Sequence, residues 1–224
     1  MPPIVGGNVS LYNEGHAGPI YPTPVIGMVG RMPDARRAGR LGFQRDGDRI
    51  ALLGPFEPAL AASELHKLRG RALPDGLPDF DLSAVRAAQD LVRAGVREGQ
   101  LSSAHDIAEG GLAIALAECC LAGARGASIT LLEAREADPE EQERLIFGEG
   151  PGGFVISAST TALVELARHP LVREQRVSLT PIGTVGGQEL GIELAALPGH
   201  AAHTVRVGLD ELAAAHDALR ELFG

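Results

Sequence analysis

Lysine is nearly missing. Lys67 is the only one in 224 residues, and it does not follow a glycine-rich loop. That excludes a phosphate-binding loop of the G-x-x-x-x-G-K-S/T kind, so any phosphate chemistry has to rest on backbone N–H groups, arginines or metal ions. Cysteine is almost as scarce: Cys119 and Cys120 sit side by side in an apolar stretch and read as small core residues of a reducing compartment, not as a disulfide framework. No apolar run reaches the length of a membrane span, and no basic N-terminal region precedes an apolar core, so nothing points to a membrane or to export. Positive charge is lacking as well. A net charge of −9 argues against nucleic acid or an anionic membrane as partner, since both need a basic face. What remains is a cytoplasmic chain, 45% hydrophobic, able to bury one good core or one core and a fragment of another.

Texture changes along the chain. Residues 1–30 are rich in glycine and proline and end in a strand-like run, Thr23-Pro24-Val25-Ile26-Gly27-Met28-Val29; Arg31 to Arg40 reads as an arginine-rich linker. From Leu41 onward, strand-like and helix-like segments alternate. Strands are expected at Arg49 to Leu53, Ser128 to Leu132 and Phe154 to Ser157, and a hairpin with one wet face at Leu190 to Leu194 and His203 to Val207. Helices are expected at Ala59 to Leu68, from an Asp81 cap to near Gly99 with Leu82, Val85 and Val92 on one face, and at Pro139 to Phe147. Leu112 to Ala122 carries only Glu118 as a charge and should be buried nearly all round. The last helix puts Leu209, Leu212, His216, Leu219 and Phe223 on one stripe, with His216 read as a core histidine.

Three glycine-bearing motifs could carry chemistry. In Gly6-Gly7-Asn8-Val9-Ser10 the glycines permit a close backbone approach to a ligand or a positive φ. The Asn8 amide oxygen suits Mg²⁺ and the Ser10 hydroxyl suits a phosphate or sugar oxygen, although a plain Gly-Gly turn fits as well. In Asp106-Ile107-Ala108-Glu109-Gly110-Gly111 the glycines could offer helix N–H groups to an anion, or Asp106 and Glu109 could cap the helix themselves, the favoured reading. Phe147-Gly148-Glu149-Gly150-Pro151-Gly152-Gly153 reads as a flexible turn into a strand. His200 and His203 flank a Gly/Pro-rich turn without a third ligand nearby and read as surface histidines.

The string Gly7-Asn8-Val9-Ser10-Leu11-Tyr12-Asn13-Glu14, followed by Pro22-Thr23-Pro24-Val25-Ile26-Gly27, resembles an element of the synthetase subunits of phosphoribosylformylglycinamidine synthase. These belong to the aminoimidazole ribonucleotide synthase-like superfamily. His105-Asp106-Ile107-Ala108-Glu109-Gly110-Gly111-Leu112 and Phe147-Gly148-Glu149 are similar to two elements of that superfamily's C-terminal domain, with Gly153 standing where the family usually has an arginine. The resemblance implies that Gly7 contacts ATP, Asn8 binds Mg²⁺ and Ser10 touches formylglycinamide ribonucleotide. It implies an ATP-dependent carbon–nitrogen ligase of purine biosynthesis: ATP phosphorylates the substrate amide oxygen, and ammonia from a glutaminase partner displaces the phosphate to leave the amidine. A glutaminase subunit and a small accessory subunit would be partners.

The expected fold is therefore α+β: residues 37–224 form an aminoimidazole ribonucleotide synthase-like C-terminal domain with a mixed sheet and helices. Residues 1–36 are the end of an ATP-binding-type α/β domain plus linker. The family's catalytic histidine, main Mg²⁺ carboxylates and ATP-binding lysine match nothing in this sequence, so no catalytic residue is assigned here. The chain by itself is expected to be an inactive part that needs the N-terminal half of the subunit. A reading from another class is a non-catalytic interaction module or truncated gene product of the same superfamily. The Asn8-to-Glu14 string argues against its sister enzymes, selenophosphate synthetase and thiamine monophosphate kinase.

Overall fold

Strands persist only where a second backbone takes up their N–H and C=O groups, and the computed structural model shows which of the expected ones do. It describes residues 3–8, 14–16, 18–20, 24–76, 79–132, 139–195 and 203–218. The chain divides into two units, Met1–Pro33 and Asp34–Gly224. In the first, β1 (Glu14–Gly15) and β2 (Gly18–Pro19) make a small antiparallel hairpin. The strand expected up to Val29 does not form there. Thr23 lies outside the described residues, and Val25, Ile26, Met28 and Val29 are exposed, Val25 at 93%. None of these four is laddered to another described residue.

The second unit opens on a 3-10 turn, Ala35–Arg37, capped by the Asp34 carboxylate accepting from the Arg36 N–H at 3.1 Å. Then follow β3 (Arg49–Leu53), α1 (Glu64–Leu68), α2 (Leu82–Arg97), β4 (Ser103–Asp106), α3 (Gly111–Gly123), β5 (Ala127–Leu132), α4 (Pro139–Phe147), β6 (Phe154–Ala158), α5 (Thr160–Ala167), α6 (Pro170–Arg173), β7 (Leu179–Val185), β8 (Glu189–Ala195), β9 (His203–Gly208) and α7 (Leu209–Ala218). Strands β3 to β9 form one sheet in the order β4-β6-β3-β7-β5-β8-β9. β5 and β8 run parallel and the other neighbours antiparallel, which is the mixed sheet of the expected α+β class.

Alternation along the strands splits the core into two layers. Ile50 and Val155 join Leu112, Leu116, Cys119 and Cys120 of α3 on one face; Ala51, Leu53 and Ile156 join Ala88, Leu91 and Val92 of α2 on the other. Each fully buried leucine or isoleucine stabilises by about 1.5–3 kcal/mol. The α3 helix is indeed buried on most sides, with Ile114 as an exposed exception. Burial pushes the Cys120 thiol up to about 12, and burial together with Cys120 and Glu118 pushes Cys119 higher. Only the thiolate reacts with alkylating agents. Both cysteines should therefore stay unlabelled by iodoacetamide in the folded protein at mildly alkaline pH and react together once it is unfolded. Mass spectrometry showing native labelling would contradict this packing.

Several expected elements need correction. Helix α1 starts at Glu64, not Ala59, because Ala59 forms a bridge with Glu149 and Ser63 caps the helix by accepting the His66 N–H. Asp81 caps α2 as expected, accepting from Ser83 and Ala84 at 2.8 and 3.2 Å. Leu82, however, is exposed, and the buried stripe is Ala87, Ala88, Leu91, Val92 and Gly95. His216 is exposed on α7 rather than in the core, and Leu219 and Phe223 lie outside the described residues. β7 carries Pro181. It is accommodated where the register against β3 slips between Ile50 and Ala51, a bulge being where a sheet tolerates proline.

Candidate functional site

The first candidate element is Gly6-Gly7-Asn8, in the first unit. All three residues are exposed, and a Cβ placed on Gly6 or Gly7 would meet nothing within 4 Å. Neither glycine adopts a positive φ, so their use here is an uncovered backbone, not a tight turn. The Asn8 side chain makes no hydrogen bond to another described residue. An amide oxygen on an uncovered loop suits one ligand position of a hard cation. Among the described residues no three His, Cys, Asp or Glu side chains gather as a metal site. Ser10 lies outside the described residues.

In the second unit the two other glycine-bearing motifs come together. Asp106 pairs with Phe154 in the β4–β6 ladder, and the Ile107 N–H donates to the Gly153 carbonyl at 2.9 Å. The two segments line one cavity of about 570 Å³, walled by Asp106 to Glu109 on one side and Glu149 to Phe154 on the other. Neither Asp106 nor Glu109 caps α3. The N-cap is Gly110, left-handed at φ 82° and without a side-chain cap of its own. Its N–H instead donates to Glu149 Oε1 at 2.8 Å, and the Gly111 N–H donates to Ala108 O at 3.1 Å. Both N–H groups that could have met an anion are already taken.

Glu149 is the organiser of this region. Its Oε1 also accepts the Glu64 N–H at 2.7 Å, and its backbone exchanges two hydrogen bonds of 2.9 Å with Ala59. Arg144 steadies the same segments by donating to Pro58 O at 2.9 Å while it grips Glu141, and Arg69 holds Glu143 through two bonds of 2.6 and 2.8 Å. These guanidinium bonds hold the Glu141 and Glu143 carboxyls below the usual carboxylate range. The turn that looked flexible in sequence is therefore pinned at both ends. Gly153 also has a packing reason: a Cβ there would lie 2.8 Å from Phe56. An arginine does not fit without moving that ring.

With Asp106, Glu109 and Glu149 on its walls and no cation, the cavity is acidic and repels phosphate. His105 bridges the layers, with Nε2 2.7 Å from Glu118 of α3 and Nδ1 3.2 Å from Asp106. His203 is exposed on β9; His200 and Asp138 lie outside the described residues. Among the described residues no helix is long and apolar enough to cross a membrane.

Residues 45–194 match the family described as AIR synthase related protein, C-terminal domain. The chain is 38% identical over 192 residues to the phosphoribosylformylglycinamidine synthase subunit PurL of Moorella thermoacetica, a stretch that covers 86% of this chain and 25% of that protein. Against the subunit PurL of a Nostoc species it is 38% identical over 218 residues, 94% of this chain and 27% of that one. Against the subunit PurL of Nostoc punctiforme it is 42% identical over 204 residues, 85% and 25% respectively. The chain thus spans about a quarter of the length of the curated relatives it matches. Among solved structures, Thermotoga maritima PurL complexed with ATP aligns over 80% of this chain and 28% of its own, with a TM-score of 0.59 at 16% identity. The same protein complexed with FGAR aligns over 82% and 36%, with a TM-score of 0.57 at 15% identity. At such identities the likeness is one of fold.

Proposed function

The chain belongs to the AIR synthase related protein family through its C-terminal domain, and from that premise we propose that it serves as the C-terminal portion of a phosphoribosylformylglycinamidine synthase subunit in purine biosynthesis. The observation that carries this reading is the 38% identity running through 94% of the chain, both units included. Residues 1–36 then contribute the end of an ATP-binding-type domain, and residues 37–224 are the C-terminal domain behind it. The reaction is the ATP- and glutamine-dependent conversion of formylglycinamide ribonucleotide to its amidine, with ammonia delivered by a glutaminase subunit and a small accessory subunit in the assembly. The cytoplasm is where it would work.

Within that reaction this chain's part is binding and orientation. Gly7 leaves its backbone uncovered for ATP to approach. Asn8 would offer Mg²⁺ a neutral amide oxygen, adding no charge to the site. When bound, Mg²⁺ neutralises charge on the triphosphate. Ser10 would donate its hydroxyl proton to an oxygen of the ribonucleotide.

A chimera in which these 224 residues replace the matching quarter of the Moorella thermoacetica subunit tests the assignment. Ser10→Ala should weaken substrate binding by about 1 kcal/mol, roughly a fivefold rise in KM for the ribonucleotide, with KM for ATP unchanged. Asn8→Ala should raise the Mg²⁺ requirement or lower kcat. Wild-type kinetics in both variants would reduce the loop to a turn.

A further inference from the structure

In a chain of net charge −9, Arg36, Arg37, Arg40, Arg45 and Arg97 line a single groove of about 680 Å³, with Glu98 as its one acidic wall residue. The groove lies wholly within the second unit, between the stretch that leads into β3 and the C-terminal end of α2. It shares no residue with the acidic cavity, and none of the three motifs contributes to its lining.

The backbone bearing these arginines is fixed. Asp34 caps the 3-10 turn that carries Arg36 and Arg37. The Arg40 carbonyl accepts from the Ala104 N–H of edge strand β4 at 2.9 Å, and Gly39 lies against Val96 of α2. Phe43 is fully buried, and its N–H donates to Cys119 O at 3.0 Å. Arg36 is spoken for by Asp34, through bonds of 3.0 and 3.1 Å. The guanidinium groups of Arg37, Arg40, Arg45 and Arg97 meet no carboxylate among the described residues, unlike Arg69, Arg93 and Arg144 elsewhere on the unit. All five groove arginines are exposed to solvent, and with one carboxylate on the wall they give the concavity a positive potential that favours an anion. Guanidinium forks match phosphate oxygens two at a time, and an anion with several adjacent phosphates can engage several forks at once.

We propose that this groove is an anion site for an oligophosphate, either free or as the phosphate tail of a nucleotide. A small phosphate fits better than an acidic protein surface, because the arginines line a concavity instead of a raised face.

Binding of sodium tripolyphosphate to the full 224-residue chain, followed by calorimetry with EDTA present to silence metal-dependent binding, tests this. Binding should be measurable at about 50 mM salt and weaken about tenfold or more by about 300 mM, since screening removes most of the attraction. The double variant Arg40→Gln/Arg97→Gln should lose about tenfold in affinity, whereas Arg173→Gln, an arginine of α6 away from the groove, should lose nothing. ATP binding no tighter than tripolyphosphate would mark the phosphates alone as the ligand; tighter ATP binding, also lost in the double variant, would mark a nucleotide tail. The inference is overturned if the double variant binds tripolyphosphate like the wild type, or if no binding is seen at about 1 mM probe, weaker than any useful affinity. It is overturned equally if poly-glutamate binds more tightly than tripolyphosphate, which would make the groove a protein-docking surface.

Discussion

Gly123→Ala should destabilise the second unit by about 3 kcal/mol or more, at the upper end of overpacking costs, and lower its Tm by roughly 6–12 °C for a chain of this size. Gly123 is the last residue of α3, and a Cβ there would stand 2.1 Å from the Phe43 carbonyl oxygen and 2.6 Å from its nitrogen. The contact is mutual: a Cβ on Gly42 would lie 2.2 Å from the Gly123 nitrogen. Both clashes are with backbone, so no side chain can swing away. The Phe43 N–H bond to Cys119 O would break, and the fully buried Phe43 ring would be drawn out of the core. Gly208→Ala is the matched control, because nothing lies within 4 Å of its Cβ position and its φ is not positive. It should melt like the wild type. Equal melting of the two variants would show that the close approach of residues 42–43 to α3 is wrong.

Glu149→Ala should cost about 2–3 kcal/mol, because one carboxylate oxygen serves two N–H donors and hydrogen bonds to charged groups are worth more than neutral ones. Removing it strips the Glu64 N–H at the start of α1 and the Gly110 N–H at the start of α3 of their acceptor together. Gly110 has no side chain to offer in exchange. Glu149→Gln keeps an oxygen at the same place and should lose about 1 kcal/mol, the difference between a charged and a neutral acceptor. Amide exchange separates the cases: Gly110 should lose protection in the alanine variant and keep most of it in the glutamine variant. If both variants melt like the wild type and Gly110 stays protected, Glu149 does not hold the two helix starts.

What sequence could and could not reveal follows from how far apart the partners lie. The Asp81 cap and the α4 boundaries rest on neighbours a few residues away and the β8–β9 hairpin on two adjacent alternating segments, and local patterns exposed them. Glu149 could not be read in this way, since its donors are 39 and 85 residues distant. The same holds for Gly42 and Gly123, whose small size matters only because two remote backbones touch. β4 was hidden inside what read as a capping sequence. The Val25 to Val29 run shows the opposite failure: its composition favours a strand, but no ladder partner is found among the described residues. For the site, Gly7 and Asn8 drew notice as residue types, and resemblance alone gave them roles. The arginine groove was visible only as a basic stretch until Arg97, over fifty residues later, was seen to close it.

On the proposed reading, these 224 residues act as the C-terminal portion of a larger synthetase subunit. The most direct measurement is ADP formation with ATP, Mg²⁺, formylglycinamide ribonucleotide and ammonia, run on the Moorella chimera and on the chain alone. The chimera is expected to turn over only when both ribonucleotide and ammonia are present, and the chain alone not to exceed a blank. A folded chimera without substrate-dependent turnover, or a lone chain that shows it, would contradict the account.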